Sequence, residues 1–212
     1  MIFTEAIRKF EGQPIKRQLL LELLDGYKRP WDRVTDLVKR GILTKVKSTI
    51  YVPGPSLKMR GPEPMLLANH LASPSYISME TALAYWQMIP ERVYEYRSAT
   101  TGRSVAYATP VGQFTFRHLP LPYYSFGQET IEMAPDQAVI IATPEKALCD
   151  KIVATSGLLL RGMPQTREWL LEDMRIERDT LRGLRLEEIK QWLKDAPKTE
   201  SIEWLIKTIE QL

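Results

Sequence analysis

The sequence predicts an α+β protein in two parts, a small basic head and a larger mixed body. Three observations lead there. The first 60 residues carry a helix, a tight turn, a second helix and a hairpin pattern. Short runs of period-two alternation then fill much of residues 91–142, and amphipathic helical patterns follow from 143 to 212. The 212-residue chain is 44% hydrophobic and 26% charged, which is a globular composition with enough apolar material for a sizeable core.

Charge divides the same way. Residues 1–60 hold 13 Lys and Arg against 6 Asp and Glu, a surplus of +7, while residues 61–212 hold 16 against 20, a deficit of −4. A basic head on an acidic body points to an anionic partner for the head. The opening MIFTEAIRKF lacks a basic segment followed by an apolar run, so no secretory signal is expected there, and no stretch approaches the roughly 20 apolar residues that span a bilayer. A cytoplasmic protein is expected. Cys149 is the single cysteine, so no intrachain disulfide can form, and its ALCDKIV setting predicts a buried, inert thiol.

In the head, Ile15, Leu19, Leu20, Leu23 and Leu24 form one apolar stripe, which predicts a helix ended by Asp25-Gly26. A second helix begins near Pro30, where a missing N–H costs nothing, and Trp31, Val34, Leu37 and Val38 form its apolar side; Gly41 closes it. LTKVKSTIYV then alternates about Lys47-Ser48 as a two-stranded hairpin. Helix, turn, helix, hairpin is the outline of a winged helix-turn-helix, which inserts its second helix into the major groove of duplex DNA. On that helix Arg29, Arg33, Asp36 and Arg40 fall on the side away from the core, flanked by Lys28 and Lys39, with Lys45 and Lys47 on the wing. These seven lysines and arginines are the expected phosphate and base contacts. Asp32 and Asp36 on the same helix would repel phosphates, and the same surface on a module that docks protein would be simply a solvated basic face.

The four prolines and two glycines of VPGPSLKMRGPEPM break both periodicities and set a domain boundary near residue 60, bridged by a short stiff connector. MLLANHL reads as a brief helix on which His70 is a packing or surface residue. Ser75 and Ser78 are alternative caps for a helix carrying Ala82, Leu83, Tyr85 and Trp86 and stopped by Pro90. VYEYRSAT, SVAYAT and QFTFRHL follow as strands separated by Thr101-Gly102-Arg103 and Pro110-Val111-Gly112, predicting a small antiparallel meander with that helix packed on it. AVIIA is a further buried strand. Thr143, Pro144 and Glu145 then supply a cap, a first-turn proline and a dipole-favoured acid, and Lys146 and Asp150 are spaced as an i,i+4 surface pair. TREWLLEDM, LRLEEIKQWLKDA and TESIEWLIKTIEQL complete a helical tail whose tryptophans, 169, 192 and 204, belong to the core.

The run SMETALAYWQMIPERVYEYRSATTGRSVAYATPVGQFTFRHL, followed by ATPEKALCDKI, resembles the AbiEi-type antitoxins of type IV, abortive-infection toxin–antitoxin systems. The likeness covers roughly residues 74–152, and the preceding winged helix-turn-helix fits the usual domain order of that family. It implies an N-terminal domain, 1–60, that binds promoter DNA and represses its own operon. It also implies a C-terminal domain, 61–212, that counteracts a toxin of nucleotidyltransferase fold. Within the latter, Arg92, Arg97, Arg103, Arg117 and Lys146 are the candidate polar surface for the antitoxin role.

Catalysis is not expected. Two histidines and one cysteine make no recognisable zinc site, and neither a phosphate-binding glycine loop nor a G-x-S-x-G elbow is present, so no metal or cofactor is assigned. Two alternatives remain. One is a plain DNA-binding regulator whose second domain dimerises or senses a ligand. The other is a metal-dependent nuclease using Asp136, Glu145 and Lys146.

Overall fold

The computed structural model describes residues 3–91 and 93–212. Helix α1 (Phe3–Arg8) opens the chain, and β1 (Ile15–Lys16) runs directly into α2 (Arg17–Leu23). Ile15, the first residue of the predicted helical stripe, is therefore in a strand, where it pairs with Tyr51. Helix α3 (Pro30–Lys39) has Pro30 in its first turn, and Gly41 follows it at φ +65°. The hairpin β2 (Leu43–Lys47) and β3 (Ile50–Pro53) closes a three-stranded sheet in the order β1-β3-β2. Phe3, Ile7, Leu20, Leu24, Val34 and Leu37 fill the small core between helices and sheet.

All four residues of β3 are buried because each face of the strand belongs to a different core. Tyr51 packs into the small N-terminal core, while Val46, Ile50 and Val52 join the large core of the second unit. A strand buried on both faces reads as a continuous apolar run, which is why Ile50-Tyr51-Val52 shows no alternation. Further bonds stitch the two units. Glu63 N–H donates to Gln137 Oε1 at 2.6 Å, and Gln13 Nε2 donates to the Asp136 carbonyl.

The second unit is built on a six-stranded mixed sheet in the order β6-β7-β5-β4-β9-β8. Its strands are β4 (Ser75–Ile77), β5 (Glu95–Thr100), β6 (Val105–Thr109), β7 (Gly112–His118), β8 (Gln128–Ala134) and β9 (Gln137–Ala142). The predicted antiparallel meander is corrected here: β6 and β7 form an antiparallel hairpin, but β7 lies between β6 and β5 and runs parallel to β5. The reason is the Thr101–Ser104 connection, which passes over the end of β7 and is pinned there. His118 N–H donates to Ser104 Oγ at 3.0 Å, the His118 ring nitrogen Nδ1 lies 3.0 Å from the Gly102 carbonyl, and Leu119 N–H reaches the Thr100 carbonyl at 2.9 Å.

Ser75 is likewise in a strand and not at a helix cap, and it faces the opposite way from its neighbour. Ser75 Oγ lies 3.4 Å from the Ala68 carbonyl of α4 (Pro64–Leu71), whereas Tyr76 reaches across the other face to α6 (Pro144–Ala154). Between β4 and α5 (Met79–Tyr85) the chain turns at Ser78-Met79, and Met79 takes φ +53°, a costly value for a residue with a Cβ. The tail comprises α7 (Met163–Glu168) continuing into a π-turn at 169–173, α8 (Arg178–Arg182), α9 (Leu186–Trp192) and α10 (Thr199–Ile209). Trp169 and Trp192 are buried and Trp204 is half-buried. Lys198 ties the tail to α6 by donating to the carbonyls of Ile152, Thr155 and Leu158 at 2.7–2.9 Å, where a cation meets the negative end of the helix. Among the described residues no helix is long and apolar enough to cross a membrane.

Candidate functional site

The basic residues of the N-terminal unit divide into three groups by what they touch. The arginines of α3 are tied to acids on the same helix. Arg33 bonds Asp36 at 2.7 Å, Arg40 lies 3.5 Å from the same carboxylate, and Arg29 lies 3.7 Å from Asp32. Largely solvated i,i+3 and i,i+4 pairs of this kind contribute only a few tenths of a kcal/mol, so a phosphate could displace them, but the two acids cancel two of the three arginine charges on this face.

Lys28, Lys39 and Lys45 are exposed and have no hydrogen-bond or ion-pair partner among the described residues. Two of them converge. A groove of about 390 Å³ between α3 and the hairpin is lined by Arg17, Trp31, Thr35, Lys39, Lys45 and Ser48. Arg17 projects from the first residue of α2, and its guanidinium carbon sits 4.0 Å above the Trp31 ring. This stacking holds the charge at the groove wall without consuming a hydrogen-bond donor. The Thr35 hydroxyl is spent on the Trp31 carbonyl at 2.9 Å, which leaves three cations and the Ser48 hydroxyl in one open groove as a fitting surface for a phosphate backbone. Arg17 and Trp31 lie fourteen positions apart and no periodicity connects them, so the sequence offered only the basic surplus as a signal.

Lys47 stands apart. A β-bulge falls between Lys45 and Lys47, so two residues that alternation would put on one side of the hairpin face opposite ways. Lys45 pairs with Tyr51 beside the groove; Lys47 pairs with Ile50 on the side of the second unit. There its ammonium donates to the Tyr107 hydroxyl at 2.8 Å and the Leu71 carbonyl at 3.1 Å, 4.3 Å from the Tyr107 ring centre. On the far side of the hairpin turn a second groove, of about 540 Å³, is lined by Lys16, Arg17, Thr49 and His70. Burial, and then the charge of Lys16, push the His70 imidazole below its ordinary 6.5.

In the second unit the five candidate surface residues do not form one surface. Arg92 lies outside the described residues. Arg103 is exposed in the turn before β6, and Arg117 is exposed near the end of β7. Arg97 and Arg117 share a sheet face, since Arg97 aligns with Thr115 and Ala99 with Arg117. Arg97 is engaged: Glu80 Oε1 accepts from Arg97 Nη1 at 2.8 Å and from Lys151 Nζ at 2.6 Å, and Glu95 Oε2 accepts from Arg97 Nε at 3.0 Å. This cluster lines a cleft of about 430 Å³ that also includes Glu91, Tyr94 and Asp173. Burial raises the Glu80 pKa, but the bonds and charges of Lys151 and Arg97 more than offset it and hold the carboxyl below its usual value.

Lys146, expected at the surface, is instead fully buried. Its side chain has no exposure, and neither do those of Tyr76, Ser78, Tyr123, Cys149 and Asp150 around it. Asp150 accepts from Lys146 Nζ, from the Tyr76 hydroxyl at 2.8 Å and from Ser78 Oγ at 2.7 Å. Lys146 Nζ also donates to the Tyr76 oxygen at 2.9 Å and lies 3.6 Å from the centre of the Tyr123 ring. The i,i+4 spacing does pair the two residues, but α6 is so enclosed that both partners face inward. Burial lowers the Lys146 pKa against the pull of Asp150. It also raises Tyr76 and Tyr123 well above the phenol range, with Asp150 adding to the effect, and pushes the Cys149 thiol to about 12. A thiol held there is inert. Gly127, at φ +59°, makes room for this centre, because a Cβ there would fall 2.6 Å from that of Lys146.

The rest of the ATPEKALCDKI run is equally structural. Thr143 caps α6, accepting from Lys146 N–H at 3.3 Å, and Pro144 opens it. Glu145 is buried and accepts from the Arg185 backbone at 2.9 Å and from its guanidinium at 3.2 and 3.3 Å, fixing the loop before α9. Burial raises the Glu145 pKa, and the Arg185 bonds more than reverse the shift. Glu145 and Lys146 are thus committed to different partners. Asp136 is elsewhere, in the β8–β9 turn, and no three His, Cys, Asp or Glu residues among those described could hold a metal ion. No protein-family model matches the chain, and no curated protein matches it at a significant level.

Proposed function

We propose that this chain is the antitoxin and autorepressor of a type IV abortive-infection operon. In this reading its N-terminal unit is a winged helix-turn-helix that binds operator DNA, and its second unit counteracts a nucleotidyltransferase-like toxin in the cytoplasm. One observation carries the DNA half: Arg17, Lys39 and Lys45 converge with Ser48 in one groove between α3 and the hairpin. The element order helix, strand, helix, helix, hairpin with sheet order β1-β3-β2 supports the winged-helix reading. The antitoxin half rests on the resemblance of residues 74–152, and the exposed Arg103 and Arg117 are the part of its polar surface open to a partner.

Two experiments test the halves separately. Binding to a duplex spanning the chain's own promoter should weaken in the Arg17→Ala/Lys39→Ala/Lys45→Ala triple variant; equal affinity would refute the DNA assignment. Co-expression with the toxin encoded beside it should restore growth, and failure of the full chain to rescue would refute the antitoxin assignment.

A further inference from the structure

The two edges of the six-stranded sheet are built differently. Edge strand β8 carries the exposed Glu129 and Glu132 and a bulge between Glu132 and Ala134, both devices that discourage strand addition. Edge strand β6 has neither. Its five residues, Val105-Ala106-Tyr107-Ala108-Thr109, contain no charge, no proline and no bulge, and Ala106 and Ala108 are exposed.

Register shows which backbone groups are unspent. Thr109 pairs with Gly112 across a two-residue turn, so Thr109, Tyr107 and Val105 spend their N–H and C=O groups on β7. Ala106 and Ala108 therefore point theirs outward, to the free edge. The strand is also close to a palindrome about Tyr107, with alanine on both sides and a β-branched residue beyond each.

We propose that β6 is a homodimer interface, pairing antiparallel with β6 of a second copy about a twofold axis at Tyr107. In that register Ala106 of each copy faces Ala108 of the other, and the two residues exchange both of their outward hydrogen bonds. Val105 meets Thr109, and the small alanine side chains allow close approach. A twofold self-pairing of this kind closes on itself, and the charged β8 edge stops the sheet from growing further. Only one short strand is shared, so the dimer is weak and concentration-dependent. Because Tyr107 also holds Lys47, the junction lies directly beside the hairpin of the N-terminal unit. The proposal stands whether or not that unit binds DNA.

Sedimentation velocity of the full chain over a concentration series tests it. A dimer fraction that rises with concentration is expected, weakened at least tenfold by Ala108→Lys, whose side chain is exposed in the monomer, and unchanged by Thr130→Lys on the opposite edge. Tyr107→Cys provides a second readout that does not depend on the fold of the lysine variant. On the axis the two Cα atoms would lie about 4.5 Å apart, within disulfide reach, so mild oxidation should link the chains there. Thr130→Cys should not link, and the buried Cys149 is silent. A wild-type chain that stays monomeric at every concentration overturns the proposal. So does a dimer that Ala108→Lys leaves intact, or one that fails to cross-link at position 107.

Discussion

The N-terminal groove and the interior of α6 use the same residue types to opposite ends. In the groove, Lys39 and Lys45 are exposed and have no partner among the described residues, and Arg17 stacks on the face of Trp31. Around α6, Lys146 has no exposure and is surrounded by Asp150, Tyr76 and Tyr123. A cation of the first kind costs the fold little and is available to a partner. One of the second kind is available to nothing outside and is costly to disturb. Lys47 lies between the two, since it sits on the same hairpin as Lys45 but is spent on the contact with the second unit.

This contrast can be broken most forcefully at Asp150. Asp150→Ala should lose about 3–5 kcal/mol of unfolding free energy, because it strands a buried ammonium together with the hydroxyls of Tyr76 and Ser78. Urea denaturation measures it, and a loss below about 1 kcal/mol would mean that the centre is open to water. Replacing both charges, as Lys146→Met/Asp150→Leu, should recover part of that loss, since no buried ammonium is left stranded while the Tyr76 and Ser78 hydroxyls still lack their acceptor. Lys47→Met should cost about 1–2 kcal/mol through its lost bonds to Leu71 and Tyr107, while Lys45→Ala should leave stability within about 0.5 kcal/mol. Equal costs for the two lysines would erase the distinction that the bulge creates.

The smallest effects are those of pH. The Glu145 carboxyl is held below its ordinary 4.5, so its contribution to stability is present above that value and is lost as pH falls through the lowered pKa. Glu145→Gln should therefore flatten the acid limb of the stability profile. His70 is depressed below 6.5, so the unfolded chain takes up its proton first and stability declines as pH falls below that value. His70→Asn should remove that decline, and thermal melts between pH 5 and 7.5 would detect it.

Much of the fold was legible where local rules act alone. Pro30 and Gly41 bracket α3, the hairpin forms within 43–53 although it turns at Ser48-Thr49, one residue past the expected Lys47-Ser48, Thr143 and Pro144 open α6, and the amphipathic tail contains α7, α9 and α10. What escaped depends on tertiary choice. A four-residue connection can pair its two strands or carry one over a third, and nothing in Thr101–Ser104 says that β7 will insert between β5 and β6. Helical periodicity cannot separate a surface ion pair from a buried one either, because Lys146 and Asp150 have the same i,i+4 spacing in both cases. Of the candidate DNA contacts, the lysine and arginine identities were readable. Their partners were not: the acids of α3 pair with its arginines, the bulge turns Lys47 inward, and Arg17 arrives from another helix.

The central claim is that the groove of Arg17, Lys39 and Lys45, more than the self-paired arginine face of α3, contacts DNA. The salt dependence of binding to the promoter duplex tests it directly, since each phosphate contact adds about 0.9 to the slope of log K against log salt. The Arg17→Ala/Lys39→Ala/Lys45→Ala variant should lose roughly 0.9 of slope per residue removed. The Arg29→Ala/Arg33→Ala/Arg40→Ala variant, which discards three cations of which Asp32 and Asp36 already balance two, should lose clearly less. An unchanged slope in the groove variant, or a larger loss in the α3 arginine variant, would contradict the account.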